Sequence, residues 1–182
     1  MQKNVKKFYP KTVNEWRDWL VKNHEKERNI AVIRYKKHTK KLSPSHIELM
    51  HEAICFGWID TTVKGINNEK YLINFVKRNE KSRWSDNTLK YAKSLLEQGK
   101  MSPQGIKFYE EGRMKPTHDF GIPKNPTMPQ ELKKALDKYK KAKENFEKSA
   151  PSYKKTMYRW ILRGKLEETR KKRINTLIKS LH

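Results

Sequence analysis

Residues 58–76 read WIDTTVKGINNEKYLINFV, and the architecture follows from how this stretch divides. Trp58 to Lys64 and Tyr71 to Val76 are short runs rich in β-branched and aromatic residues, which suit a pleated, half-buried surface. Gly65, Ile66, Asn67 and Asn68 lie between them and favour a tight reversal. Two such runs joined by such a turn predict a β-hairpin. Upstream, Ile30 to Tyr35 (IAVIRY) is a third candidate strand. Between it and the hairpin, after the basic loop KKHTKK, Ser43, Pro44 and Ser45 announce a helix. Ser45 and Glu48 have capping-box spacing, Ile47, Met50, Ala53 and Ile54 form an apolar stripe, and Gly57 ends it. Thr12 and Glu15 repeat that spacing ahead of a helix from Val13 to His24, whose apolar face carries Trp16, Trp19 and Leu20.

Downstream of the hairpin, Ser82 and Ser85 precede a helix running to about Gln98, with Gly99 beyond its end, and Ser102-Pro103 opens another. Pro116, Gly121, Pro123, Pro126 and Pro129 break regular structure between Arg113 and Pro129. Three helical patterns follow, over 130–147, 152–164 and 166–181. The expected fold class is α+β and predominantly helical. A small antiparallel sheet belongs to an α+β domain at 1–112, a Pro-rich linker spans 113–129, and a three-helix C-terminal module occupies 130–182. Some fifty residues bury too little surface to be stable alone, so this module is expected to pack on the first domain.

Composition bounds the function. The chain has 182 residues, with 43 Lys and Arg against 20 Asp and Glu, and a formal charge of +23. Its aromatic residues supply enough buried area to argue against disorder. One cysteine excludes an intrachain disulfide framework. The opening residues MQKNVKKFYP carry no apolar signal run, and no segment approaches the roughly 20 apolar residues of a membrane span. A soluble, cytoplasmic protein is expected. The charge favours anionic partners: an anionic small molecule, an acidic surface or nucleic acid. Lys outnumbers Arg by 33 to 10, which points to a dispersed, solvated charge rather than bidentate phosphate recognition.

Several segments resemble a known family. Cys55 to Asp60 (CFGWID), Asn74 to Arg78 (NFVKR), Lys81 to Asn87 (KSRWSDN), Gly99 to Gly105 (GKMSPQG) and, near the end, Trp160-Ile161, Glu168-Thr169-Arg170 and Arg173-Ile174 resemble the YdeI/OmpD-associated, or bacteriocin-protection, family. The resemblance implies an α+β N-terminal part, related in some classifications to YjbR/CyaY-like proteins, with a helical tail and a stress-protection or binding role. It implies no cofactor and no catalytic residues. Where members often carry Thr-Pro-Arg after the strand Phe, this chain has Val76-Lys77-Arg78.

The strongest chemical clue lies in the last helix. At about 100° per residue, Arg170 and Arg173 fall within the stripe of Leu166, Ile174, Leu177 and Leu181. Buried guanidinium groups require acceptors. Either the protein supplies them, Asp60 being one candidate, or a cleft between the two parts admits an exchangeable anion. Arg78, Lys81, Ser82, Trp84 and Ser85 extend the second reading, because a helix N-terminus with adjacent basic groups suits an anion and Trp84 could cover a base or sugar. Ordinary capping and core packing explain the same residues one at a time. Lys155, Arg159 and Arg163 form a basic line on one helix face, suited to a phosphate backbone or simply solvated. His51 and Cys55 share a face at i, i+4, but no second ligand cluster supports a metal site. An enzyme built on Asp60, His51 or Cys55 requires a pocket holding at least two of them.

Overall fold

The computed structural model describes residues 5–181. These divide between Thr117 and His118 into two compact units.

The first unit holds a four-stranded sheet and four α-helices. In chain order the elements are β1 (Lys7–Phe8), α1 (Val13–Asn23), β2 (Asn29–Tyr35), α2 (His46–Cys55), β3 (Trp58–Gly65), β4 (Lys70–Lys77), α3 (Asp86–Glu97) and α4 (Pro103–Arg113), with one 3-10 turn at Lys37–Thr39. The hairpin forms where the sequence places it, with Trp58 opposite Lys77 and Gly65 opposite Tyr71. Its turn is closed by Asn67, whose Oδ1 accepts from the amides of Glu69 and Lys70, both at 3.0 Å. β2 pairs antiparallel with β4, giving the order β1-β2-β4-β3.

The sequence predicts a small antiparallel sheet, and here the structure corrects it: the sheet is mixed, with β1 parallel to β2 at the edge. A strand of two residues shows no alternation from which to be read. A parallel pair requires a crossover connection, which α1 provides.

The caps explain where the helices begin. Ser45 and Glu48 form the full reciprocal box, Glu48 N donating to Ser45 Oγ at 3.2 Å and Ser45 N to Glu48 Oε2 at 2.7 Å. Thr12 caps α1, but Glu15 reaches past it to the amide of Lys11 at 2.7 Å. One sheet face, with Ile30, Val32, Trp58, Ile73 and Phe75, packs in a single core with Trp16 and Leu20 of α1 and Leu49, Ala53 and Ile54 of α2. The indole of Trp16 donates to Leu49 O at 2.9 Å and ties α1 to α2. α4 approaches the end of α2 so closely that a Cβ on Gly105 would lie 2.1 Å from Cys55 O. That carbonyl accepts from both the amide and the hydroxyl of Ser102.

The second unit has a separate core of Leu132, Leu136, Ala142, Phe146, Ile161, Ile174, Leu177 and Ile178. Its helices are α5 (Gln130–Leu136), α6 (Lys140–Lys148), α7 (Pro151–Leu162) and α8 (Glu167–Ser180). The expected three-helix module therefore has four helices. The first pattern breaks at residues 137–139, where Tyr139 leaves the helical region (φ −130°, ψ 86°) and Lys143 Nζ bridges back to Asp137 Oδ1 at 2.7 Å. No Gly or Pro marks this break. The apolar spacing of Leu132, Leu136, Ala142 and Phe146 is compatible with one helix or two, and only packing selects between them.

Candidate functional site

Arg78 follows β4, and its backbone amide donates to Gly57 O at 2.9 Å. That bond anchors the residue at the base of the hairpin and turns its side chain inward, leaving it 3% exposed. The guanidinium carbon lies 3.6 Å from the centroid of the Trp84 ring, a cation–π stack. Nη1 donates to Arg83 O at 3.3 Å, while Nε is buried without a partner. Burial lowers the Arg78 pKa to about 10, with the charge of Asp60 opposing the shift. Asp60 itself bonds His46, Oδ2 to Nε2 at 3.0 Å, so it influences the arginine through its field and not through a hydrogen bond.

The neighbouring residues serve local structure. Ser82 Oγ accepts from the Asn79 amide at 2.9 Å. Ser85 caps α3 in a reciprocal box with Thr88. Trp84 is 2% exposed, with Arg78 stacked on its ring, Tyr109 meeting it edge-on at 6.2 Å and Gly112 of α4 close beside it. Its ring has no open face for a base or sugar.

The two arginines of α8 find acceptors within the second unit. Arg170 Nε and Nη2 engage the Glu131 carboxylate at 3.0 and 3.1 Å, and Nη1 donates to Gly164 O at 3.1 Å. Glu131 raises the Arg170 pKa. Arg173 Nη1 donates to Trp160 O, and its guanidinium lies 5.5 Å from the Trp160 ring centroid. The negative company these groups require is one carboxylate and a row of carbonyl oxygens, which fasten α8 to α5 and to the end of α7.

The basic line on α7 is likewise engaged. Arg163 grips Asp119 with Nε at 2.6 Å and Nη2 at 3.0 Å. Arg159 bonds the same carboxylate and also Pro123 O at 3.0 Å, and Lys155 Nζ bonds Asn125 Oδ1. The Pro-rich segment 119–125 is thus strapped to α7. Hydrogen bonds from both guanidinium groups hold Asp119 at a pKa of about 2.

Cys55 is fully buried, and burial pushes its thiol up to about 11. His51 packs against Tyr91 with ring centroids 4.8 Å apart and planes tilted by 55°, and lines a cavity of about 280 Å³ with Glu48, Glu52 and Lys100. Glu52 is held by Arg17 at 2.6 Å. Among the described residues, no group of three His, Cys, Asp or Glu side chains is placed to hold a metal ion.

One surface differs from all of these. Alternation along the strands sends Lys7, Asn29, Leu72, Asn74, Val76, Thr62 and Lys64 to the sheet face opposite the core. A groove of about 670 Å³ runs over this face, and none of its lining residues carries a carboxylate. Asn74 Nδ2 donates to Thr62 Oγ1 at 2.7 Å across its floor. Lys7 and Lys64 are exposed. The sequence carries a signal for this face: polar Asn74 sits between Leu72 and Val76, and Thr62 and Lys64 alternate along β3, while Thr61 joins them only through the irregular register between Asp60 and Thr62.

Fold and surface together define a two-part protein, an α+β unit with a mixed sheet followed by a four-helix unit. Residues 8–108, more than half of the chain, match the family described as Domain of unknown function (DUF8412), and the chain belongs to that family. Residues 125–182 match the family described as Bacteriocin-protection, YdeI or OmpD-Associated, and the resemblance seen in the sequence holds over that stretch. The segments between Cys55 and Gly105 that share the resemblance lie within the first match. No curated protein and no solved structure matches the chain. Among the described residues, no helix is long and apolar enough to cross a membrane.

Proposed function

We propose that this is a non-enzymatic binding protein for anionic partners, and that its binding surface is the open face of the sheet. The carrying observation is the groove flanked by Lys7 and Lys64, floored by amide, hydroxyl and apolar side chains and free of acidic residues. Neither lysine side chain has an ion-pair partner among the described residues. The other positively charged candidates carry less of the reading, because Arg170, Arg159 and Arg163 already face Glu131 and Asp119. Two of the three groups considered for catalysis are committed elsewhere, Cys55 to the core and Asp60 to His46, which leaves His51 as the one of the three that lines the cavity beside Glu48 and Glu52. This reading includes a cytoplasmic setting and a stress- or bacteriocin-protective role, the latter taken from the description of the family matched by residues 125–182.

The test is binding of inorganic polyphosphate followed by calorimetry at several salt concentrations. Saturable binding that weakens as salt rises is expected, because each neutralised phosphate releases counterions. Lys7→Glu combined with Lys64→Glu should weaken binding about tenfold or more. A control pair, Lys171→Glu with Lys172→Glu, changes net charge equally on another surface and should have a much smaller effect. Equal losses in the two variants would reduce the interaction to net charge and remove the sheet face from the proposal.

A further inference from the structure

Resting on that reading, we infer that the partner of the open sheet face is a single-stranded nucleic acid. The strand register fixes the layout. Lys7, Ala31, Asn74 and Thr62 form one row across the four strands, and Ile33, Leu72 and Lys64 form the next. At about 4.8 Å per strand, Lys7 and Lys64 stand roughly 15 Å apart at the backbone. Cations therefore occupy opposite rims, with an apolar and amide-bearing floor between them.

A single strand satisfies both features at once. Its phosphates meet the rim lysines while its unstacked bases lie on Leu72 and Val76 and present their edges to the Asn74 amide. A duplex keeps its bases paired inside and would engage only the lysines. An acidic peptide offers no planar groups to the floor. Tyr35 falls on the same face, opposite Lys70, whose Nζ lies 5.7 Å from its ring centroid; Lys41 Nζ, 4.5 Å from the centroid, also faces Glu69 at 3.3 Å. An aromatic ring flanked by cations is the pairing that single-strand platforms use, stacking for the base and charge for its phosphate.

The experiment is fluorescence anisotropy of the full chain with a labelled single-stranded oligonucleotide. The same sequence as a duplex, and polyglutamate, serve as competitors. With Lys7, Lys64 and Lys70 each neutralising one phosphate, log K against log salt should have a slope of about −2, so that about a fourfold rise in salt weakens binding roughly fifteenfold. The single strand should bind at least about tenfold more tightly than either competitor. Lys7→Glu with Lys64→Glu should weaken single-strand binding about tenfold or more, and Thr62→Lys, adding a cation to the groove, should tighten it. Equal or tighter binding of duplex or polyglutamate would overturn the inference while leaving the anionic-partner reading standing. Failure to bind any of these polyanions, polyphosphate included, would overturn both. Unchanged single-strand affinity in all the groove variants would overturn the placement on the sheet.

Discussion

Gly112→Ala offers a direct measurement of how tightly Trp84 is sealed. An alanine Cβ at position 112 would stand 2.0 Å from Trp84 Nε1 and 2.2 Å from its Cδ1, far inside a carbon contact of about 3.5–4 Å. The indole has nowhere to go: it is 2% exposed, with the Arg78 guanidinium stacked on its ring and Tyr109 at its edge. Overpacking of this kind costs about 1–3 kcal/mol, and an overlap of some 1.5 Å belongs at or above the top of that range. Against it stands the helix propensity of alanine, which favours Ala over Gly by about 1 kcal/mol. The balance is a destabilisation of about 2 kcal/mol, or a fall of roughly 5–10 °C in the midpoint for a unit of this size. Thermal melts followed by tryptophan fluorescence and circular dichroism would read it. Gly99→Ala is the comparison, because Gly99 has φ +67° and open space around it, so only the left-handed backbone cost of about 1 kcal/mol applies. Were Gly112→Ala to melt at or above the wild-type temperature, helix propensity would have prevailed and the packing of α4 on Trp84 described above would be wrong.

Two further outcomes follow from the ionisable groups. The pKa of Asp119 is depressed to about 2 in the folded state, below an unfolded value near 3.9, so its stabilising effect is complete above the unfolded pKa and is lost as pH falls through about 2. Asp119→Asn should therefore destabilise the second unit at neutral pH by about 1–2 kcal/mol, after allowance for solvent screening, and the gap from wild type should narrow below about pH 4 and close near pH 2 in chemical denaturation. A gap that stays constant across that range would remove Asp119 as the clamp. Cys55, fully buried and with its thiol raised to about 11, should resist a thiol-specific disulfide reagent at mildly alkaline pH until denaturant is added. Stoichiometric reaction of the native protein within seconds would contradict the sealed position.

Much of the first unit is legible locally. Ser45 and Glu48, Ser85, and Ser102 with Pro103 each start a helix where their side-chain chemistry requires, and Asn67 closes the hairpin from within four residues. Strand β1 is not legible, since two residues define no period and its pairing with Ala31 and Val32 is made across α1. The break between α5 and α6 is similarly silent, having neither Gly nor Pro to announce it. Among the candidate site residues, helical projection shows that Arg170 and Arg173 need acceptors, but it cannot say that Glu131 is the carboxylate that answers Arg170.

The sequence by itself determines the α+β character, the order of the main elements, the apolar faces and the excess of positive charge, because caps, turns and hydrophobic periodicity act over a few residues. Tertiary structure alone decides which charges are answered. Asp119 lies forty residues from Arg159 and forty-four from Arg163, yet it pairs with both of these arginines in the line that the sequence presents as a phosphate rail. Lys7 and Lys64, unremarkable among 33 lysines, reach the rims of one groove only because strand register brings them there. Coulomb attraction depends on distance in space, and the chain closes those distances only when its cores form.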